Sequence, residues 1–120
     1  IEDQVVALPS DFKEGNTSAH IHTDRFGKYL MTSNRGHDSI SLYAIEKDGK
    51  LKFRRNVSTE GVKPRNFLVD QKNEFVFVAN QDTDNIVIFK WEPENGQLTP
   101  TGRQFNVPSP VCLKMLVIDK

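Results

Sequence analysis

The sequence predicts an all-β fold built from repeated antiparallel units, and three observations support this prediction. Residues 34–40 and 80–86 occupy equivalent places in an internal repeat with a shift of 46 residues. The apolar residues fall in short β-branched and aromatic runs bounded by turn residues. No window shows the sustained apolar spacing and caps of a helix. A period in the forties with strand-like content is typical of β-propeller blades, so we expect about two four-stranded blades plus flanking strands.

The first predicted blade covers residues 18–59. A turn is expected at residues 24–27, and the run Lys47-Asp-Gly-Lys50 is a tight hairpin signal. The four strands of this unit are predicted at 18–23, 28–33, 39–45 and 51–57.

The second predicted blade covers residues 64–107 and repeats this order. Its middle strands, 75–79 and 86–89, are apolar on both faces. Because a half-solvated sheet would alternate polar and apolar residues, this pattern indicates blades that stack face to face. Its four strands are predicted at 65–69, 74–79, 85–91 and 97–107. Partial strands are expected on either side, at 4–8 and 111–116.

Composition excludes several classes of function. The chain has 16 basic and 16 acidic residues among 120, which argues against a dedicated nucleic-acid or membrane surface. The single cysteine, Cys112, excludes an internal disulfide and favours a reducing, cytoplasmic location. Cys112 lies in an apolar run, so we expect it in the core. The sequence begins with Ile1, and we expect a truncated or processed product whose targeting segment is missing.

The differences between the two units identify candidate site residues. Arg35 and His37 stand where the second unit has uncharged residues, 46 positions later. Arg65 and His20 have no charged or titratable counterpart on the first strand of the other unit. In a propeller, the innermost strands and the loops at one end line the channel mouth, where ligands bind. For any one of these residues, a surface position without a role is the simpler interpretation. Arg35, His37 and Arg65, however, recur near equivalent blade positions, which weakens that interpretation.

The chemistry of these side chains suits an acidic substrate. Two guanidinium groups can bind a carboxylate or phosphate through bidentate hydrogen bonds, and a nearby histidine can move a proton near neutral pH. The three histidines lack cysteine or carboxylate partners at ligand spacing, so we expect neither a metal nor a cofactor. Four aspartates that recur in both units are interpreted as turn residues that bind backbone amides. They are Asp24, Asp38, Asp70 and Asp84.

Four segments resemble the C-terminal signatures of the seven-bladed lactonase propellers. They are Ser33-Asn-Arg-Gly-His-Asp-Ser-Ile40, Lys63-Pro-Arg65, Val78-Ala-Asn-Gln-Asp82 and Pro108-Ser-Pro-Val-Cys112. That family includes propeller-type 6-phosphogluconolactonase and the fungal 3-carboxy-cis,cis-muconate lactonizing enzyme. The resemblance extends from about residue 4 to residue 116. It implies the C-terminal part of one seven-bladed domain, with a cleft for an anionic sugar lactone or a related carboxylic acid.

The resemblance implies an enzyme part that hydrolyses a sugar lactone such as 6-phosphogluconolactone. Arg35 and Arg65 would bind the substrate anion, and His37 or His20 would assist proton transfer. A carboxymuconate cycloisomerase needs the same anion clamp, and a propeller that only binds a protein partner is the third interpretation. The remaining blades are expected as partners, in the same protein or on a separate chain.

Overall fold

The computed structural model describes residues 4–118 and contains two four-stranded antiparallel sheets, each ordered as in the chain. The first blade comprises β1 (Thr17–Thr23), β2 (Tyr29–Arg35), β3 (Ser39–Ile45) and β4 (Leu51–Ser58). The second comprises β5 (Pro64–Val69), β6 (Phe75–Asn80), β7 (Asn85–Glu92) and β8 (Gln97–Asn106). A short 3-10 turn, Gln81–Thr83, joins β6 to β7. The predicted all-β fold of two blades is confirmed, and no helix in the described part is long and apolar enough to cross a membrane.

The β1–β2 and β5–β6 turns are built by the repeated aspartates. The Asp24 carboxylate accepts hydrogen bonds from the backbone N–H groups of Lys28 and Tyr29, at 2.8 and 3.1 Å. Asp70 does the same in the second blade, where the N–H groups four and five residues later donate at 2.7 and 2.9 Å. These bonds satisfy amides that the tight turn leaves without a ladder partner. The prediction that these two aspartates shape turns is confirmed.

The core lies between the two blades, where β5 packs against β1 and β2. One face of the first sheet, with Met31 and Leu42, forms a single buried cluster with the facing side of the second sheet. Tyr29 and Trp91 meet edge to face, with ring centroids 5.2 Å apart. The second-blade members of the cluster are Phe67, Val69, Val76, Val78, Val87, Phe89, Trp91 and Leu98.

The opposite face of the second blade is also apolar but only partly covered. Phe77 and Ile86 are half-buried there, and Phe105 is 55% exposed. Residues 113–116 lie over this face and, with Leu68, enclose a groove of about 300 Å³. The stacking predicted from the apolar middle strands is therefore observed on one face, and the other face has no second sheet against it in the described part of the chain.

The two partial strands predicted at 4–8 and 111–116 are not strands in the structure. A strand needs a neighbouring strand for its ladder, and side chains bind these segments instead. The carbonyl of Ala7 accepts hydrogen bonds from Ser41 Oγ and Asn56 Nδ2, at 2.6 and 2.8 Å. Leu113 donates its N–H to Asn66 Oδ1 at 3.0 Å. Cys112 lies in the second of these segments and is exposed. The prediction that it lies in the core is wrong.

Each blade has two ends, and we name them by their connections. The turn rim carries the β1–β2 and β5–β6 turns, residues 24–28 and 70–74. The loop rim carries residues 36–38, 59–63 and 81–84 at the other end of the same strands. Two equivalent contacts join successive units at the loop rim, where Asp38 Oδ1 accepts the N–H of Lys63 at 2.9 Å and Asp84 Oδ1 accepts that of Ser109 at 2.8 Å.

Candidate functional site

A cleft of about 630 Å³ opens at the loop rim, where the first blade meets the second. Its walls come from the segment before β1, the end of β2, the connection between the blades and the β6–β7 turn. Two cationic side chains and one carboxylate face it. The lining residues are Gly15, Asn16, Thr17, Arg35, Gly36, Lys63, Gln81 and Asp82.

Arg35 is the last residue of β2, and its guanidinium group lies at the cleft wall. Its Nη2 donates a long hydrogen bond of 3.4 Å to the carbonyl of Ser18. Its Nε is buried and has no hydrogen-bond partner among the described residues. A buried guanidinium N–H without an acceptor is costly, so the hydrogen-bonding capacity of Arg35 is not used up within the described residues.

Gly36 follows Arg35 and fixes the shape of this wall. Its φ of +122° lies in the region that favours glycine, and a Cβ there would overlap the carbonyl oxygen of Gly15. The segment before β1 therefore passes directly over the β2–β3 loop. This contact brings Gly15 and Asn16 into the cleft.

Lys63 and Asp82 form the second wall and were not among the sequence-predicted site residues. The ammonium Nζ of Lys63 lies 2.9 Å from Asp82 Oδ2, and both side chains are about half exposed. A sequence signal existed, because the repeat places Thr17 opposite Lys63 and Gly36 opposite Asp82. Both residues are thus unmatched charges, as Arg35 is.

Arg65 lies on the innermost strand of the second blade and is exposed. It is the second residue of β5, after Pro64, and is not among the residues that line the cleft.

His37 lies in the β2–β3 loop under the segment that precedes β1. Its Nδ1 is 2.7 Å from Ser39 Oγ, and its ring meets Phe12 edge to face with centroids 4.8 Å apart. Its backbone N–H donates to Asn16 Oδ1 at 3.1 Å. The ring is half-buried and does not line the cleft.

His20 lies on β1 and faces the second blade. Its ring edge packs on Phe67 with centroids 4.9 Å apart, and it lies nearly parallel to His22 at 6.1 Å. Burial lowers the pKa of His20 below 6.5, and the nearby charges of His22 and Lys114 lower this pKa further. The imidazole is therefore neutral at pH 7 and able to accept a proton.

The family model described as "Lactonase, 7-bladed beta-propeller" matches residues 2–115 of this sequence. That match spans almost the entire chain and agrees with the two stacked blades. The chain belongs to the seven-bladed β-propeller lactonase family.

Among curated proteins, a 6-phosphogluconolactonase of Bacillus subtilis is 40% identical over 117 residues, which are 96% of this chain and 34% of that protein. Among solved structures, a periplasmic gluconolactonase of Pseudomonas aeruginosa matches with a TM-score of 0.89 and 31% identity, over 93% of this chain and 31% of the other. A Lactobacillus plantarum protein matches with a TM-score of 0.85 and 35% identity, over 90% and 32%. The chain spans about a third of the length of the relatives it matches.

Within this lactonase-family chain, the four predicted site residues do not converge on one cavity. Arg35 lines the cleft, His37 lies beneath the neighbouring segment, and His20 and Arg65 lie on the inner strands β1 and β5. Among residues 4–118, no group of three or more histidine, cysteine or acidic side chains is arranged to hold a metal ion.

Proposed function

We propose that this chain is part of a propeller lactonase that hydrolyses a sugar lactone such as 6-phosphogluconolactone. Membership of the lactonase family and the names of the B. subtilis and P. aeruginosa relatives support this choice. The observation that carries it is the Arg35 guanidinium, which lines a cleft together with a second cation, Lys63. Such a group suits an anionic substrate.

In the proposed reaction, Arg35 binds the anionic group of the substrate at the loop-rim cleft, and Arg65 supplies a further cation from β5, outside that cleft. A water oxygen bonds to the lactone carbonyl carbon, and His20 takes the proton that the water loses. The ring C–O bond then breaks, and the proton passes to the departing ring oxygen, which yields the open sugar acid. His20 suits the role of base because its lowered pKa keeps it neutral. His37 remains a second candidate for proton transfer, through the ring nitrogen that Ser39 does not occupy.

The remaining blades complete the proposed enzyme. The partly covered apolar face of the second blade supports this, since Phe105 is 55% exposed there. The blades would lie in the same protein or in a companion chain. A stable, cooperatively unfolding monomer of the 120 residues alone, seen by light scattering and calorimetry, would contradict this requirement. We further propose a cytoplasmic location, which cell fractionation tests.

The experiment that tests the function measures hydrolysis of 6-phosphogluconolactone by the full-length protein and by its Arg35→Ala variant. Loss of a charge-assisted contact predicts a fall in kcat/KM of about 10- to 100-fold. Arg54→Ala is the matched control, because Arg54 is exposed on the outer strand β4. A wild-type protein without turnover refutes the proposed activity, and an unchanged kcat/KM for Arg35→Ala refutes the role of Arg35.

A further inference from the structure

The Lys63–Asp82 ion pair lies at the wall of the cleft that Arg35 also lines. The Nζ–Oδ2 distance is 2.9 Å, and the two side chains are 54% and 41% exposed. Exposed pairs of this kind contribute little to stability, because water competes for both charges. Both side chains nevertheless line the same cleft as Arg35.

The pair belongs to this one junction and not to the repeated scaffold. One unit earlier, the equivalents of Lys63 and Asp82 are Thr17 and Gly36. One unit later, the equivalent of Lys63 is Ser109. The backbone contact that joins the units is the same at Lys63 and Ser109, so a lysine is not needed for it. The charge of Lys63 is therefore not required by that backbone contact.

The backbones beneath both side chains are fixed. Lys63 donates its N–H to Asp38 Oδ1 at 2.9 Å and accepts a hydrogen bond from Gln81 at 2.9 Å. The N–H of Asp82 donates to the carbonyl of Val62 at 3.1 Å. Lys63 has a φ of +58°, a left-handed conformation that a lysine adopts only when the surroundings impose it. Two anchored backbones thus present an ammonium and a carboxylate whose contact can open without moving the loop.

The geometry points to an anion-exchange site, in which the phosphate group of a phosphorylated sugar lactone displaces the Asp82 carboxylate from Lys63. The phosphate then lies between the Lys63 ammonium and the Arg35 guanidinium, which line the same cleft. This inference rests on the proposed lactonase function and makes Lys63 the residue that selects phosphorylated over unphosphorylated lactones. A phosphate monoester carries about −1.5 to −2 charges at pH 7, which the two cations match once Asp82 has turned to solvent.

Binding of the two product acids tests this site independently of turnover. We expect wild-type full-length protein to bind 6-phosphogluconate in isothermal titration calorimetry, and Lys63→Asn to bind it about 10- to 100-fold more weakly. Gluconate binding should stay unchanged. Asparagine is chosen because it tolerates a positive φ better than most residues and removes the ammonium group. Lys72→Asn, in the exposed turn at the other end of β5, is the matched control.

Two further variants test the exchange, one at the carboxylate and one that keeps the cation. Asp82→Asn removes the competing carboxylate and should tighten 6-phosphogluconate binding several-fold, while Lys63→Arg should keep most of the affinity. Equal weakening of both acids by Lys63→Asn overturns the inference, as does weaker phosphate binding by Asp82→Asn. Absence of 6-phosphogluconate binding to the wild type also overturns it. Binding without hydrolysis of either lactone would refute the proposed function and leave the phosphate site supported.

Discussion

The two rims of the blade pair differ in how completely their polar groups are satisfied. At the turn rim, Asp24 accepts two backbone N–H groups and a hydrogen bond from Asn73 Nδ2 of the second blade. At the loop rim, Arg35 Nε has no partner in the described chain, and Lys63 meets Asp82 in an exposed pair. At the turn-rim end of β7, the buried indole Nε1 of Trp91 also lacks a partner among the described residues, but it is a neutral group within the core cluster. Satisfied turn carboxylates suit a scaffold, whereas an unsatisfied cation suits a surface that receives a ligand.

The internal repeat shows the same division. Asp24 and Asp70 are identical across the units and perform the same task at the turn rim. Arg35, Lys63 and Asp82 have no charged counterpart 46 positions away, and all three line the loop-rim cleft. The repeated aspartates therefore build the turns of both blades. Charges that fail to repeat occur at both rims, as Arg25 does at the turn rim, but three of them lie together at the loop-rim cleft.

Asp24→Ala should have the largest effect on stability, because it removes the carboxylate that shapes the β1–β2 turn at the turn rim. Asp24 is 2% exposed, so its removal leaves buried amide donors without acceptors. We expect a loss of about 3 kcal/mol in the free energy of unfolding, measured by urea denaturation of the full-length protein. Asp48→Ala is the control, because Asp48 accepts only an exposed amide, from Lys50. A loss no greater than that of the control would remove the distinction between the rims.

The blade architecture was predictable because local chemistry specifies it. Turn aspartates and apolar runs recur at 46 residues and the hairpin glycines at 47, so the strand order and bounds could be inferred within a few residues. The flanking segments were not predictable in this way. Their apolar runs are strand-like, but a strand forms only beside a partner.

The candidate site was only partly predictable, since its walls depend on the irregular segment before β1. That segment places Phe12 on His37 and Gly15 on Gly36, which keeps the histidine out of the cleft. Residues 9–16 have no periodicity from which their path could be inferred. Lys63 and Asp82 could have been found by extending the comparison of the repeats to every charged residue.

Arg25→Ala should have a smaller effect, and it tests how much the turn rim contributes to the contact between the blades. The Arg25 guanidinium donates to the carbonyls of Val69 and Asp70, at 2.6 and 3.1 Å. Because Arg25 is exposed, we expect a loss of about 1 kcal/mol in urea denaturation, with kcat/KM unchanged. Arg54→Ala, on the outer strand, should change neither quantity. A fall in kcat/KM for Arg25→Ala at full folding would place function at both rims.

His20→Asn should have the smallest effect, and it is visible only as a pH dependence. The folded protein lowers the pKa of His20 below 6.5, so the unfolded chain binds the proton more readily. The contribution of His20 to stability is therefore complete above pH 6.5 and is lost as the pH falls toward the lowered pKa. Asn is the residue that the second unit carries at this position, as Asn66. We expect the decrease in unfolding free energy between pH 7 and about pH 5.5 to be smaller in His20→Asn than in wild type. Lys114→Gln, which removes one of the neighbouring charges, should fall between the two. An identical pH dependence in all three proteins would show that the pKa of His20 is the same in the folded and unfolded protein. The fold would then give His20 no special suitability as a base.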